Sequence, residues 1–452
     1  GQEFGAFRWG YTSDPPLPGL TDRPLVTRDL LPLGSAPAMD LLYAFDDRFQ
    51  DGTAEAASVA AIARLFAADT IWLPNDVAFD RYRTPRPELT AALFAATGAD
   101  SGLGDAIGVG TPQPNTPVLA MVDEDSLSNP SIGQPLAPVE LITVTDPVPI
   151  VRAKSEVVML AGSGDGVVDA ERWLYWSGTK KLLRYTADAS VTADDIAAAD
   201  RVIVTDSNRD RAHHWHSSQD VWGFTEDGAD GQGVLVDSTD DERIPVFSPD
   251  EPADRTAADQ RGGTRAAASA YGEPFAYRPE SRAAMAVDGD LATAWVVADR
   301  WNPVGEFITV EADDAFPTVT LVQPHDARNR WITAVTMTTG GDTGADVGAG
   351  GEPFTVALDA SSHTPQGQVI TLPRPSASVT ITIAAIEHHP AASLAGLDAV
   401  GFAEVTTAAG PSEEVVRVPS NVLPAVGADQ PLDVVLTRLR TRATNRWRAD
   451  PE

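Results

Sequence analysis

The spacing of apolar residues falls into three regimes along this chain, and each predicts a different kind of layer. After Ser35, a candidate N-cap with Pro37 at an early helical position, Met39, Leu42 and Phe45 recur at i, i+3 and i+6, the signature of a helix. A second helix follows Thr53, with Val59, Ile62, Ala63 and Phe66 on one side. Thr70 to Leu73 reads as a short buried strand, and two further helices are predicted around 77–82 and 88–96. Residues 1–35 read as an extended, Pro-rich arm, and 100–138 as irregular apart from 118–122. The second regime begins with an alternating strand at 139–144 and an unbroken apolar run at 157–160, as a strand covered on both faces requires. That run enters the glycine loop 162–166 and a helix through Trp173 and Trp176. Strands at 182–185 and 201–205, with a helix capped by Thr192 between them, complete a strand–helix–strand pattern that predicts a small parallel sheet.

The third regime has a period of two. Beyond an acidic, Pro/Gly-rich linker at 225–265, short alternating runs near 306–311, 318–323, 332–339, 353–358, 368–372, 378–386 and 399–406 predict an antiparallel sandwich. The expected organisation is an α/β region at 1–135, a small α/β sheet region at 136–224, the linker at 225–265 and a β-sandwich at 266–410. The tail, 411–452, contains two strand-like runs, at 414–418 and 432–439. They are expected to extend the sandwich or to open a further module, since two strands do not make a domain.

At 452 residues the chain is long enough for two or three cores. Its net charge of −32 repels phosphates and anionic lipid, so nucleic acid is not expected as a partner. No apolar run reaches the length of a membrane helix, and the opening residues lack a secretory pattern, which fits either a cytosolic protein or a piece of a larger one. There are no cysteines, hence no disulfide framework.

Several clusters invite chemistry. A strand feeding the loop Gly162-Ser163-Gly164-Asp165-Gly166 could seat a phosphate on a helix N-terminus, but Val167 stands where a dinucleotide fingerprint needs glycine, and no P-loop lysine follows. A tight turn with helix capping is the preferred reading. His213 and His216 have helical ligand spacing, with Asp210 nearby, yet no HExxH arrangement follows and a solvated helix face is preferred. The doublet Asp46-Asp47 diverges on a helix, and Asp123-Glu124-Asp125 is unremarkable in a chain this acidic, so neither makes an acid/base pair. No catalytic centre is read from the chain.

The third regime holds the better candidates. The loop Gln323 to Trp331 carries Gln323, His325, Arg328, Asn329, Arg330 and Trp331. Its planar donors suit vicinal hydroxyls and its indole suits the C–H face of a sugar. Arg300 and Trp301 form a second such pair. The alternative is that Trp331 and Trp295 plug the core while the arginines are solvated. The turn Asp288-Gly289-Asp290 with Thr293 offers closely spaced oxygens to a hard cation, for which Ca²⁺ fits better than Mg²⁺. The alternative there is a plain turn in which Asp288 bonds the backbone of Asp290.

The ordered tracts SAY (269–271), AVDGD (286–290) and TAW (293–295), with the closing GFAEV (401–405), resemble the discoidin-like (coagulation factor C-type) galactose-binding sandwich. The fold class implied is α/β followed by an all-β discoidin-like jelly-roll sandwich, with Glu404 returning from the closing strand to complete the cation shell. Over most of its length the chain also resembles the alpha-1,3-arabinofuranosyltransferase D family of actinobacteria. The tracts DRPLV (22–26), LPLGS (31–35), AMDLLY (38–43) with DDRFQ (46–50), Asn75-Asp76, Phe79-Asp80-Arg81, VTDPVPIVRA (144–153) and DSNR (206–209) carry that likeness. Those proteins are polytopic membrane glycosyltransferases of the GT-C kind that build cell-envelope arabinan from a lipid-linked donor. The resemblance implies an extracytoplasmic region that binds or positions arabinan or a related cell-wall glycan beside the membrane domain of a parent enzyme, with no catalytic residue of its own. The competing expectations are a structural platform that binds no sugar and an independent hydrolase.

Overall fold

The computed structural model describes residues 5–13, 16–27, 34–50, 54–82, 84–95, 102–118, 126–127, 129–151, 156–176, 182–188, 190–209, 252–272, 281–298, 302–325, 330–340, 351–387 and 399–437. They divide into two compact units. One draws on Gly1–Asn208, Arg243–Arg255 and Pro419–Thr441, the other mainly on Thr256–Val418. The predicted sites at 118–122, Asp123 to Asp125, Asp210, His213 to His216, Arg300, Trp301, Arg328 and Asn329 fall wholly or mostly outside the described residues.

The first unit opens with a hairpin of β1 (Gly5–Phe7) and β2 (Gly10–Thr12), where the sequence suggested only an extended arm. Helices α1 (Ala36–Gln50) and α2 (Ala56–Leu65) follow, then β3 (Thr70–Pro74), the short α3 (Phe79–Tyr82) and α4 (Pro87–Ala95). A strand absent from the sequence reading, β4 (Leu103–Val109), lies in the glycine-rich stretch. Its polar and small residues mask the alternation because all but its first residues face outward or lie at the sheet edge. With β5 (Val139–Val144) central, the three make one antiparallel sheet in the order β3-β5-β4. The boundary expected at 135/136 therefore does not separate regions: β5 belongs to the sheet of the elements before it. Val59, Ala60, Phe94, Leu103 and Ile142 form the core under that sheet. The buried Arg64 of α2 donates to the carbonyls of Thr145 (2.9 Å) and Gly102 (3.1 Å), so one guanidinium satisfies backbone groups where β4 and β5 meet.

The second sheet of this unit is parallel, as predicted. It contains β6 (Val157–Ala161), α5 (Gly164–Trp176), β7 (Leu182–Tyr185), α6 (Ala193–Ala198) and β8 (Arg201–Thr205). Thr192 caps α6 in a reciprocal box: its hydroxyl accepts from the Asp195 N–H (3.2 Å), and the Asp195 carboxylate accepts from the Thr192 N–H (2.9 Å). Val158, Leu160 and Ile203 are sealed by Leu41, Ile62, Val167 and Val168 from the helices.

The second unit is the discoidin-like sandwich. Part of the expected linker is structured, since β9 (Ala257–Arg261) pairs with a later strand. Strands β10 (Arg265–Ala268), β11 (Trp295–Ala298), β12 (Phe307–Val322), β13 (Ile332–Thr339), β14 (Phe354–Ala357), β15 (Gln368–Ile386), β16 (Ala399–Phe402), β17 (Glu404–Thr406) and β18 (Glu413–Arg417) follow. The main sheet runs β10-β12-β15-β13-β14, with β17 also on β12, and β11 pairs with β16 in a smaller sheet. Four predicted strands merge into two: β12 and β15 each cross the sandwich, bent where the register shifts between Glu311 and Thr318. Pro317, Pro373 and Pro375 fall in that stretch and supply no ladder donors, which is why the sequence reads as interrupted there. Strand β18 pairs with β9, and Arg282 forks onto Glu414 (2.7 and 3.0 Å) to hold the turn at Ala283–Ala286 beside it.

The last strand, β19 (Leu432–Val435), neither extends the sandwich nor opens a module. It lies parallel to β8 and completes the parallel sheet as β19-β8-β6-β7, with Val435 packed on that core.

At the seam of the small sheet, Trp295 is fully buried, stacks on Phe402 with ring centroids 6.0 Å apart and donates its indole N–H to the Ala270 carbonyl (2.9 Å). Trp295 is thus a core plug. A Cβ at Gly401 would stand 1.9 Å from the Trp295 carbonyl oxygen, so only glycine lets β11 and β16 meet. Gly401→Ala is expected to destabilise the sandwich by about 3 kcal/mol, through backbone separation rather than lost contacts. Urea melts with near-ultraviolet dichroism as the readout of the Trp295 environment check this; unchanged melting would mean the seam is looser than described.

Candidate functional site

The glycine loop after β6 makes a turn, and its helix end is already occupied. The backbone N–H of Gly164, first residue of α5, donates to the buried carboxylate of Asp40 on α1. The Ser163 N–H donates to the Ser207 hydroxyl (2.8 Å). The chain's own carboxylate therefore fills the place where a helix N-terminus would receive phosphate. A Cβ on Gly164 would come within 2.7 Å of the Asp40 carbonyl, so the glycine serves this close approach of α1. Asp46 and Asp47 sit side by side on α1 and do not face each other across a cleft.

In the sandwich, the turn after the Ala283–Ala286 segment brings together most of the oxygens expected there. The Asp288 carboxylate accepts from the Asp290 N–H (2.9 Å) and from the Thr293 hydroxyl, at 2.9 Å on Oδ1 and 2.8 Å on Oδ2. The same hydroxyl lies 2.6 Å from the Asp290 carbonyl. Glu404 arrives from β17 and accepts from the Gly289 N–H at 3.2 Å, so the closing strand does return to the opening turn. Asp290 presents its carbonyl rather than its carboxylate, since its Oδ1 accepts from the Ala292 N–H (3.0 Å). Among the described residues, no three Asp, Glu, His or Cys side chains converge as a metal cage. What converges is two carboxylates, a hydroxyl and a carbonyl, an all-oxygen set of the kind Ca²⁺ accepts.

Burial, and then the neighbouring Asp288 charge, push the Glu404 carboxyl up to about 7. Burial likewise raises Asp288, partly offset by its bonds from Asp290 and Thr293.

The loop from Gln323 to Trp331 is only partly a surface. Gln323 is 2% exposed and its amide is spent inside the fold: Nε2 donates to the Ile332 carbonyl (3.0 Å) and the Ser362 hydroxyl (2.9 Å), and Oε1 accepts from the Ile332 N–H (2.7 Å). It mimics a backbone rung at the sheet end and leaves no polar group for a sugar. Arg330 is also buried, and its backbone N–H donates to the Ala399 carbonyl (3.1 Å). His325 is exposed and Trp331 half-buried. The Trp331 ring stacks on His363 with centroids 3.7 Å apart and an interplanar angle of 16°, while His325 tilts beside it at 6.2 Å. His363 is the one member of this aromatic group missed in the sequence. It lies at the end of the 3-10 turn Ala360–His363, capped by Asp359, and no local spacing links it to Trp331.

These features define a region built from an α/β unit and a discoidin-like sandwich with an aromatic loop cluster. A family model described as "Alpha-(1->3)-arabinofuranosyltransferase, N-terminal GT-C domain" matches residues 1–230, about half of the chain. The chain belongs to the alpha-(1->3)-arabinofuranosyltransferase family. A curated relative, the alpha-(1->3)-arabinofuranosyltransferase of Mycobacterium tuberculosis, is 25% identical over 374 residues, covering 79% of this chain and 25% of the relative. The chain thus spans about a quarter of that protein's length. The cryo-EM structure of arabinofuranosyltransferase AftD from Mycobacteria (mutant R1389S, class 2) is similar over 96% of this chain and 33% of its own, with 18% identity and a TM-score of 0.56. A family 32 carbohydrate-binding module of Clostridium perfringens NanJ, solved with galactose, aligns with 34% of this chain and 95% of its own, at 13% identity and a TM-score of 0.21.

The raised Glu404 group has a testable sign. A carboxyl whose folded-state value of about 7 exceeds its ordinary 4.5 binds protons more tightly when folded, so its contribution to stability declines as pH rises through that window. Metal-free protein is expected to lose on the order of 1–2 kcal/mol between about pH 4.5 and about pH 7 from this group, after solvent screening. Glu404→Gln should flatten that part of the profile, as measured by denaturant melts in chelator. An unchanged slope in the variant would assign the pH dependence elsewhere.

Proposed function

We propose that this region binds or positions acceptor glycan for a membrane arabinofuranosyltransferase of cell-envelope arabinan synthesis, on the extracytoplasmic side. In this reading the glycosyl transfer itself takes place in parts of the enzyme beyond this chain, and the membrane domain of the same protein is its neighbour. The family assignment supports the glycan class. Among the described residues, no helix is long and apolar enough to cross a membrane, which suits a role beside the membrane domain.

The observation that carries the reading is the half-exposed Trp331 at the end of a sandwich loop, stiffened by His363 on one ring face and flanked by His325. A ring fixed in this way loses little rotamer entropy when its remaining surface meets the C–H face of a sugar, and the exposed imidazole of His325 can donate to a hydroxyl. A structural platform is the second reading, favoured by the inward-turned Gln323 and buried Arg330.

Calcium belongs to the same proposal. Asp288, Thr293, the Asp290 carbonyl and Glu404 would hold it, and it would supply the positive charge that lets the half-buried Asp288 and the buried Glu404 ionise together. It would also tie the opening turn to the closing strand in a chain that has no cysteines.

Titration of an arabinan oligosaccharide into the chain, followed by calorimetry, tests the binding. Trp331→Ala should weaken it about tenfold, the scale of one aromatic contact, with melting near wild type. Undiminished affinity in the variant would favour the platform. Chelator should lower the melting temperature and added calcium restore it. If melting ignores both, the acidic segment is a turn and no more.

A further inference from the structure

The hairpin that opens the first unit carries an indole that is exposed yet held in place. Phe7 pairs with Gly10, so Arg8 and Trp9 form its two-residue loop. Trp9 is 61% exposed, although one face of its ring lies flat on Phe7, with centroids 4.9 Å apart and planes 6° from parallel. The other face is therefore the open one. The indole N–H donates to the Asp76 carboxylate at 2.8 Å, so the one polar group of the side chain is already satisfied. The hairpin is itself pinned. The Arg8 N–H donates to the Asp76 carbonyl and the Ala78 N–H to the Ala6 carbonyl, both at 2.8 Å, and the Arg8 side chain pairs with Asp80 at 2.6 Å. On β2, the Tyr11 ring carries the Arg81 guanidinium at 4.5 Å, a second tie to the same stretch of chain. Ring face, ring edge and backbone are fixed before any ligand arrives.

What this surface can take follows from the chemistry it has left. It offers one flat apolar face, made richer in electrons by the bond from its N–H to a carboxylate, with that anionic group at its rim. A nucleotide or an anionic lipid is repelled by the rim and by the chain's net charge of −32. A zwitterionic lipid surface is disfavoured for a different reason. An interfacial tryptophan keeps its N–H for water or headgroups, whereas here insertion would draw the Asp76 carboxylate out of water along with the ring. The C–H face of a neutral sugar fits: it needs only an electron-rich plane and leaves the sugar's hydroxyls in water.

We propose that Trp9 is a second saccharide platform, on the α/β unit and separate from the sandwich loop, where a furanose or pyranose ring lays its C–H face on the open side of the indole. The inference rests on the glycan-binding reading for the class of polymer, and on the hairpin alone for the site. Trp9 on Phe7 repeats the arrangement of Trp331 on His363, an indole backed on one face by a second ring. An open platform desolvates little surface, so its affinity for one sugar is weak, and its use is to hold a second stretch of a polymer already bound elsewhere on the chain.

The test uses the full chain and a short arabinan oligosaccharide, with calorimetry for affinity and saturation-transfer NMR for the sugar protons that touch aromatic rings. Trp331→Ala removes the sandwich contact and should still pass saturation to sugar C–H protons through Trp9. Adding Trp9→Ala should weaken the remaining binding about tenfold, with melting near wild type because the side chain is mostly exposed. Trp9→Phe in the same background, which keeps a ring and loses the N–H, should retain part of the binding. If the double variant binds as Trp331→Ala does, or if no form shows binding that depends on Trp9, the proposal is overturned. If Trp331→Ala has no effect while Trp9→Ala weakens binding, the sandwich site fails and this one stands. Trp9-dependent uptake onto phosphatidylcholine vesicles, with oligosaccharide binding unchanged by Trp9→Ala, overturns the proposal in favour of a lipid-facing surface.

Discussion

Everything in the sandwich depends on how closely β11 can approach β16. Opening and closing strands of a sandwich must be joined by something, and this chain has no cysteines to do it covalently. The joint is the antiparallel β11/β16 pair itself, drawn close where the Trp295 carbonyl is pressed against a residue with no side chain, with the indole and the Phe402 ring stacked beside it. The next residues of the closing strand then carry Glu404 to the acidic turn. Packing therefore delivers the carboxylate, and the chemistry of the turn follows from the geometry of the core rather than the reverse.

Much of this was legible from residue order. The period-two runs located β12 to β17, because half-buried antiparallel strands write their two faces into alternating positions, while β9, β10 and β11 lay outside those runs. The unbroken run at 157–160 announced the covered parallel strand for the complementary reason. The DGD turn was likewise readable, and the return of Glu404 to it was what the resemblance to the discoidin-like sandwich implied. What the sequence hid was long-range. Nothing near Gln323 says that its amide will stand in for a backbone rung with Ile332, and nothing near Trp331 points to His363. β4 went unseen because its residues face mostly outward, so burial wrote no pattern into them.

The glycine loop shows how a chain can resemble an anion site and be something else. Its shape is that of a phosphate cradle, but Asp40 from a distant helix lies across its mouth. The positive end of α5 is thereby used to fix α1 against the parallel sheet, and an apparent ligand site becomes a tertiary contact.

The path of the chain through the parallel sheet carries a consequence for synthesis. β8 ends at Thr205, and its neighbour on one side, β19, is not made until residue 432. In topological terms the sandwich is an insertion between two adjacent rungs of the α/β sheet. On a ribosome, the β8 edge must wait uncovered while more than two hundred intervening residues emerge. An open parallel edge lined with Val202 and Val204 is a template for wrong pairing. The order of synthesis is dictated by connectivity: the whole sandwich segment is made before the strand that shuts the sheet begun ahead of it.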